Sequence, residues 1–193
     1  MNLREFQRDA LRTESTIFHI SSVSPRIIHG ITGIVTEVGE LQEGLFGSSY
    51  RDLNLKEEIG DIMWYMALLL DDLHLTFDSI PCKELITLEG KPLGINKQRE
   101  LASWMNIYAG KLTNQLKRAL FYGKPWEQDL IIDHLRNLYQ YILTFCDEVN
   151  VNIGDVCEAV IAKLRKRYPD KFTVQAALNR DLVAEETAML SKL

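Results

Sequence analysis

The chain has 193 residues, 46% hydrophobic and 25% charged, a balance that suits one globular domain and excludes a disordered, charge-rich segment. Its formal net charge of −5 gives no overall field for nucleic acid, although a phosphorylated ligand can still be held where bases are grouped locally. Cys82, Cys146 and Cys157 are odd in number and widely spaced, without CxxC or Cys/His ligand spacing. That excludes a structural zinc site and points to reduced thiols in a cytoplasmic protein.

Along the chain the start, MNLREFQRDALRTES, is polar and amphipathic, without a signal peptide's apolar run. Phe6, Ala10, Thr13 and Ile17 mark a first helix that ends before the SSVSP break at 21–25. A second helix runs from Pro25 to the region of Gly44 and Gly47, where Ser48-Ser49 reinforces the stop. A third starts at Asp52 or Asn54, both suitable caps, and carries Ile59, Ile62, Met63, Met66, Leu69 and Leu70 on its apolar face. The longest unbroken apolar run, 62–70, is too short to span a bilayer, so no membrane is expected. EGKPLG (89–94) reads as a loop, followed by helices over 97–122, 127–149 and 153–167. The tail from Thr173 reads as helical, with Thr173 as its cap. No segment alternates as a strand does, and the fold class is all-α.

Two stretches resemble each other at a constant offset, the one starting at Gly44 and the one starting at Ala119, once a single insertion near Tyr122 is allowed for. Ile59 meets Leu135, Ile62 meets Leu138, Tyr65 meets Tyr141, and Asp71-Asp72 meets Asp147-Glu148. Any two amphipathic hairpins match at apolar positions; the glycines Gly47 and Gly123, the tyrosines and the paired acids ask for more. The reading is one domain, 1–193, with a catalytic half (25–86), a degenerate repeat (97–161) and a basic C-terminal segment (162–193).

The chemistry lies in TEVGEL (36–41) and KEEIGDIMWY (56–65). Glu37 and Glu40 are three apart, as are Glu58 and Asp61, so on helices each pair shares one face. Val38, Leu41, Ile59 and Ile62 make that face the buried one. No Lys or Arg occurs between Ile27 and Tyr50 or between Glu57 and Cys82, so four carboxylates converging here would repel. A hard cation resolves the conflict, and oxygen-only ligands suit magnesium or manganese. Gly39 and Gly60, each between its two acids, are expected to mark close helix approach, since helical glycine costs about 1 kcal/mol.

ExxE ending at Glu40, followed by ExxD opening at Glu58, resembles the signature of the MazG-like, all-α nucleoside triphosphate pyrophosphatase superfamily. FQRDALRT (6–13), HGITGIVTEVGEL (29–41) and KLRKRYPDKFTVQAALNRD (163–181) are similar to the small MazG-like proteins. One departure is Thr36, where the family often has a further acid. The resemblance implies a helical bundle in which Glu37, Glu40, Glu58 and Asp61 hold Mg2+, with Mn2+ as a substitute. It implies hydrolysis at the α-phosphate, giving a nucleoside monophosphate and pyrophosphate. Glu57 is a spare acid, expected in solvent. His29 resembles a family position near the first motif, and a helix-packing histidine fits it as well; Trp64, Trp104 and Trp126 read as core, with Trp104 a candidate for a base pocket.

Lys163, Arg165, Lys166, Arg167, Lys171 and Arg180 face a single acid, Asp170, across 163–180. A basic helix end complements the macrodipole; the resemblance assigns Lys163, Arg167 and Tyr168 to the distal phosphates, with Asn179 and Arg180 beside them. In the second copy Glu58 and Asp61 correspond to His134 and Asn137. Glu37 and Glu40 correspond to Leu112 and Gln115, or to Thr113 and Leu116. Since MazG-like bundles are typically built from two chains, the expectation is an intramolecular pseudo-dimer with one metal site per chain. The inactive half, through Lys111, Lys117, Arg118 and Lys124, would lend bases, and a homodimer would be an addition. The competing readings are a non-catalytic nucleotide-sensing or scaffold protein, and a carboxylate-bridged iron bundle, which would need Glu-x-x-His pairs that these acids lack.

Overall fold

The computed structural model of the chain describes Gln7, Leu11, Ser15 and residues 17–47, 52–82, 84–90 and 94–193. Phe6, Ala10 and Thr13 of the predicted first helix lie outside them, as do Ser48-Ser49. Seven α-helices follow: α1 (Pro25–Phe46), α2 (Asp52–Asp72), α3 (Ile95–Tyr122), α4 (Gln128–Glu148), α5 (Ile153–Arg167), α6 (Val174–Leu178) and α7 (Leu182–Leu190). The described residues are all-helical, with no strand among them and no helix long and apolar enough to cross a membrane.

Local chemistry sets the helix ends. Ser24 Oγ accepts from the Ile27 amide with Pro25 at the first helical position, which starts α1. The same hydroxyl donates to Asp72 Oδ1 at 2.8 Å, tying the start of α1 to the end of α2, so the two form an antiparallel hairpin. Asn152 caps α5 through the Gly154 and Asp155 amides. Gly123 closes α3 at φ 58°, a conformation that favours glycine. The tail, expected as one helix from Thr173, is two: Thr173 caps α6 and Asp181 caps α7, each by accepting an amide three residues on.

α1 packs on both α2 and α3, α3 packs on α4, α5 lies against α2, and α7 against α5. The seam is apolar: Ile31, Ile34, Val38 and Leu41 of α1 meet the buried faces of α2 and α3, which carry Ile62, Met66, Leu101, Met105 and Leu112. The two hairpins end alike. Leu73, His74 and Leu75 amides donate to the Leu69, Asp71 and Leu70 carbonyls, and Val149, Asn150 and Val151 amides donate to those of Phe145, Asp147 and Cys146. Every partner in the second set stands at the offset that relates Ile59 to Leu135, and His74 (φ 58°) and Asn150 (φ 52°) share the left-handed conformation. Each turn leads into a further helix: a 3-10 turn at Phe77–Ser79 in the first hairpin, α5 in the second.

The two motif glycines part company. A Cβ on Gly60 would fall 2.2 Å from Val160 Cγ2, so α5 approaches α2 where no larger residue fits. Nothing lies within 4 Å of a Cβ on Gly39, and the expected close approach there is not met. Close contacts on α1 occur instead at Gly30 against Leu69 and at Gly33 against the Tyr65 ring. Gly60→Ala should therefore destabilise the chain by about 1–3 kcal/mol through overpacking. Gly39→Ala should be neutral or stabilising by up to about 1 kcal/mol. Urea unfolding of both variants checks the contrast; equal losses would contradict it.

Candidate metal centre

α1 and α2 present their acids to one another. Ligand oxygens of Glu37, Glu40 and Glu58 lie within 4.8 Å of one another, the one such group of acid, His or Cys side chains among the described residues. The Thr36 hydroxyl lies 3.1 Å from Glu37 Oε1 and 2.9 Å from the Gly33 carbonyl, either of which accepts its proton. Burial, then hydrogen bonding to Glu37 and the charge of Glu40, pushes the Glu58 carboxyl up to about 9. Burial and the charge of Asp61 also raise Glu37. A hydrogen bond between two carboxyls needs a proton, and a hard cation does the same neutralising work. The all-oxygen donor set fits Mg2+ or Mn2+.

Asp61 stands apart from this trio. Its Oδ2 accepts from Lys163 Nζ at 2.5 Å, and Lys163 also reaches Glu57 Oε1 at 3.0 Å. The absence of bases near the acids holds only along the sequence: α5, packed on α2, delivers Lys163 from 102 residues away. Burial raises Asp61 and Lys163 opposes it. Glu57, expected in solvent, is half-buried on this pair. Lys163 is 2% exposed, so its ammonium balances acids inside the protein rather than facing the cleft.

A cleft of about 1080 Å³ opens over the acids. Of the expected site residues Glu37, Glu40, Glu58, Asp61, Arg167, Tyr168 and Arg180 line it; Lys163 lies beneath, and Asn179 is spent on the Gln175 carbonyl of α6. His29, Trp64 and Tyr65 line it too, with ring centroids 4.9–5.9 Å apart in edge contacts. Trp64, expected in the core, is thus a wall of the cleft. Trp104, the candidate for a base pocket, stacks instead on Tyr141 at 5.7 Å, outside it. None of Lys111, Lys117, Arg118 and Lys124 lines the cleft, so the second half lends no base from that group; Arg118 pairs with Glu127 at 3.0 Å.

Arg167 and Arg180 both end on Glu185, an acid that carried no sequence signal beyond its place among apolar residues of the tail. Arg167 donates through Nε (2.9 Å) and Nη2 (2.5 Å), and Arg180 through Nη2 (2.8 Å) and Nε (3.2 Å). Burial acts to raise the Glu185 carboxyl, and the hydrogen bonds from Arg167 and Arg180 overcome it, holding the group down at about 2. Of the residues that the sequence comparison sets against the acids, His134 is buried, as is Gln115 of one of the two registers, and Asn137 bonds the Asp133 carbonyl. His134 Nδ1 has no hydrogen-bond partner, and burial, then Lys111, lowers that imidazole.

Burial raises both Glu58 and Asp61, but Glu58 is packed against other acids while Asp61 has Lys163 beside it. Glu58, raised from 4.5 to about 9, binds a proton more tightly when folded, so stability of the metal-free chain falls as pH rises between those values. Glu58→Gln should reduce that slope, to which Glu37 and Asp61 also contribute, and stabilise the metal-free chain at pH 8. Asp61→Asn should leave buried Lys163 with Glu57 as its remaining acid partner and cost on the order of 1 kcal/mol. Thermal unfolding from pH 5 to 9 checks both; a stabilising Asp61→Asn would contradict the assignment. Compared with family models, with curated proteins and with solved structures, the chain matches none.

Proposed function

We propose that this chain is a magnesium-dependent nucleoside triphosphate pyrophosphohydrolase of the MazG-like kind, releasing a nucleoside monophosphate and pyrophosphate. One observation carries the reading. A single cleft has a cation-fitting carboxylate trio on one side and the guanidiniums of Arg167 and Arg180 on another. A triphosphate needs both: a metal where its charge is concentrated and fixed cations along its tail.

Glu37, Glu40 and Glu58 would hold the ion, with Asp61 as the fourth acid, its charge balanced by Lys163. When bound, Mg2+, or Mn2+ in its place, supplies charge neutralisation and a water of lowered pKa for attack at the α-phosphate. Arg167 and Arg180 would bind the distal phosphates, with Tyr168 beside Arg167. Lys163, buried, acts through Asp61 and Glu57 instead. His29, Trp64 and Tyr65 offer stacking surfaces to a nucleoside without selecting a base.

The second half takes the part of a partner chain: an internally duplicated pseudo-dimer, supported by the turns matched at one constant offset and by the loss of acids at His134 and Asn137. One metal site per chain follows, and a homodimer of whole chains is an addition. The nucleotide-sensing alternative predicts triphosphate binding without turnover.

A panel of ribo- and deoxyribonucleoside triphosphates, assayed for pyrophosphate with Mg2+, Mn2+ or chelator, separates the two. Metal-dependent release is expected, lost in Glu40→Gln at unchanged helix content. Arg167→Ala should weaken triphosphate binding by roughly tenfold or more, and monophosphate binding far less. Binding without release from any member would leave the sensing reading; full activity in Glu40→Gln would sink the carboxylate assignment.

A further inference from the structure

α7 carries two buried residues, Met189 and Glu185, and only one of them has reason to be there as a hydrophobe. The Glu185 side chain is 4% exposed, and two guanidiniums reach it from different elements: Arg167 at the end of α5, and Arg180 in the link between α6 and α7. A buried ion triad is a poor way to stabilise a fold, since well-packed apolar groups of the same volume serve as well or better. Its geometry is nevertheless specific. Glu185 takes Nε and Nη2 of Arg167, and Nε and Nη2 of Arg180, four bonds of 2.5–3.2 Å.

Both arginines also line the cleft. A guanidinium has five N–H donors in a rigid plane, and gripping it along one edge fixes the direction of the Nη1 donors that Glu185 leaves unused. Two such cations side by side repel, and the carboxylate between them lets both stay. A phosphate tail arriving there meets donors already oriented, and less binding energy is lost in ordering long side chains. The Arg180 side chain, 39% exposed against 15% for Arg167, is the outer of the two.

We propose that Glu185 is a positioning residue of the triphosphate site, holding Arg167 and Arg180 side by side so that their remaining donors meet the distal phosphates. This rests on the pyrophosphohydrolase reading of the cleft, and it makes α7 part of the site although none of its residues lines the cleft. The structural alternative, in which Glu185 only pins α7 to α5, predicts a loss of stability and no selective effect on anions.

Calorimetric titration of the full chain with inorganic tripolyphosphate and, separately, with Mg2+ distinguishes them. Glu185→Gln should weaken tripolyphosphate binding by about tenfold or more. Its Mg2+ affinity should stay unchanged, and Glu185→Asp, which keeps the charge on a shorter arm, should fall between. Where Glu185→Gln loses helix content by circular dichroism, Glu185→Asp carries the test by the same criteria. Unchanged or tighter tripolyphosphate binding, or a parallel loss of Mg2+ affinity, would overturn the proposal. The two readings fail separately. Glu185-dependent tripolyphosphate binding in a chain that releases no pyrophosphate sinks the hydrolase and keeps the positioning. Turnover with tripolyphosphate binding indifferent to Glu185 sinks the positioning alone.

Discussion

The structure turns on like charges held together. Glu37, Glu40 and Glu58 would move apart if their helices were free, yet the apolar seams of α1 and α2 lock the two backbones in a hairpin that keeps Glu37 and Glu58 half-buried beside the exposed Glu40. The energy for this comes from burial of side chains such as Ile34, Val38, Ile59 and Ile62, each worth on the order of 2 kcal/mol. Burial first, and then its acid neighbours, push the Glu58 carboxyl up to about 9. In the proposed reading a cation would relieve this repulsion, the cost of assembling the cluster having been met by packing.

Around this centre three cations are each held by an acid. Lys163 sits on Asp61 and Glu57; Arg167 and Arg180 sit on Glu185. Two groups of charge result: buried Lys163 with Asp61 and Glu57, and, at the cleft wall, Arg167 and Arg180 on Glu185. α5 serves both, carrying Lys163 beneath the cleft and Arg167 at its edge, and its approach to α2 depends on Gly60 having no side chain.

Much of this was legible in the sequence. Helix bounds followed from breakers such as Pro25 and Gly123, which act locally, and the helix read over 153–167 spans Ile153–Arg167. The spacing of ExxE and ExxD put the acids on facing helices because periodicity alone decides which face is apolar. What escaped was non-local. No pattern near Asp61 along the chain announces Lys163, and a base-free neighbourhood in sequence proved to have a base in space. Glu185 was unreadable for the same reason: one acid in a short helix acquires meaning only from two arginines folded onto it. Gly39 misled because its symmetry with Gly60 is one of sequence, while only Gly60 meets a neighbouring helix.

The central claim, that the carboxylate trio is a cation site, is tested most directly by titrating Mn2+ into the metal-free chain and reading free ion by electron paramagnetic resonance, with proton uptake or release followed in weak buffer. The account predicts one carboxylate cluster filled per chain, Mg2+ in competition with Mn2+, a proton released on binding at pH 7–8, and binding lost in Glu58→Gln. Mn2+ binding equally tight in Glu58→Gln, or none in the unaltered chain, would contradict it.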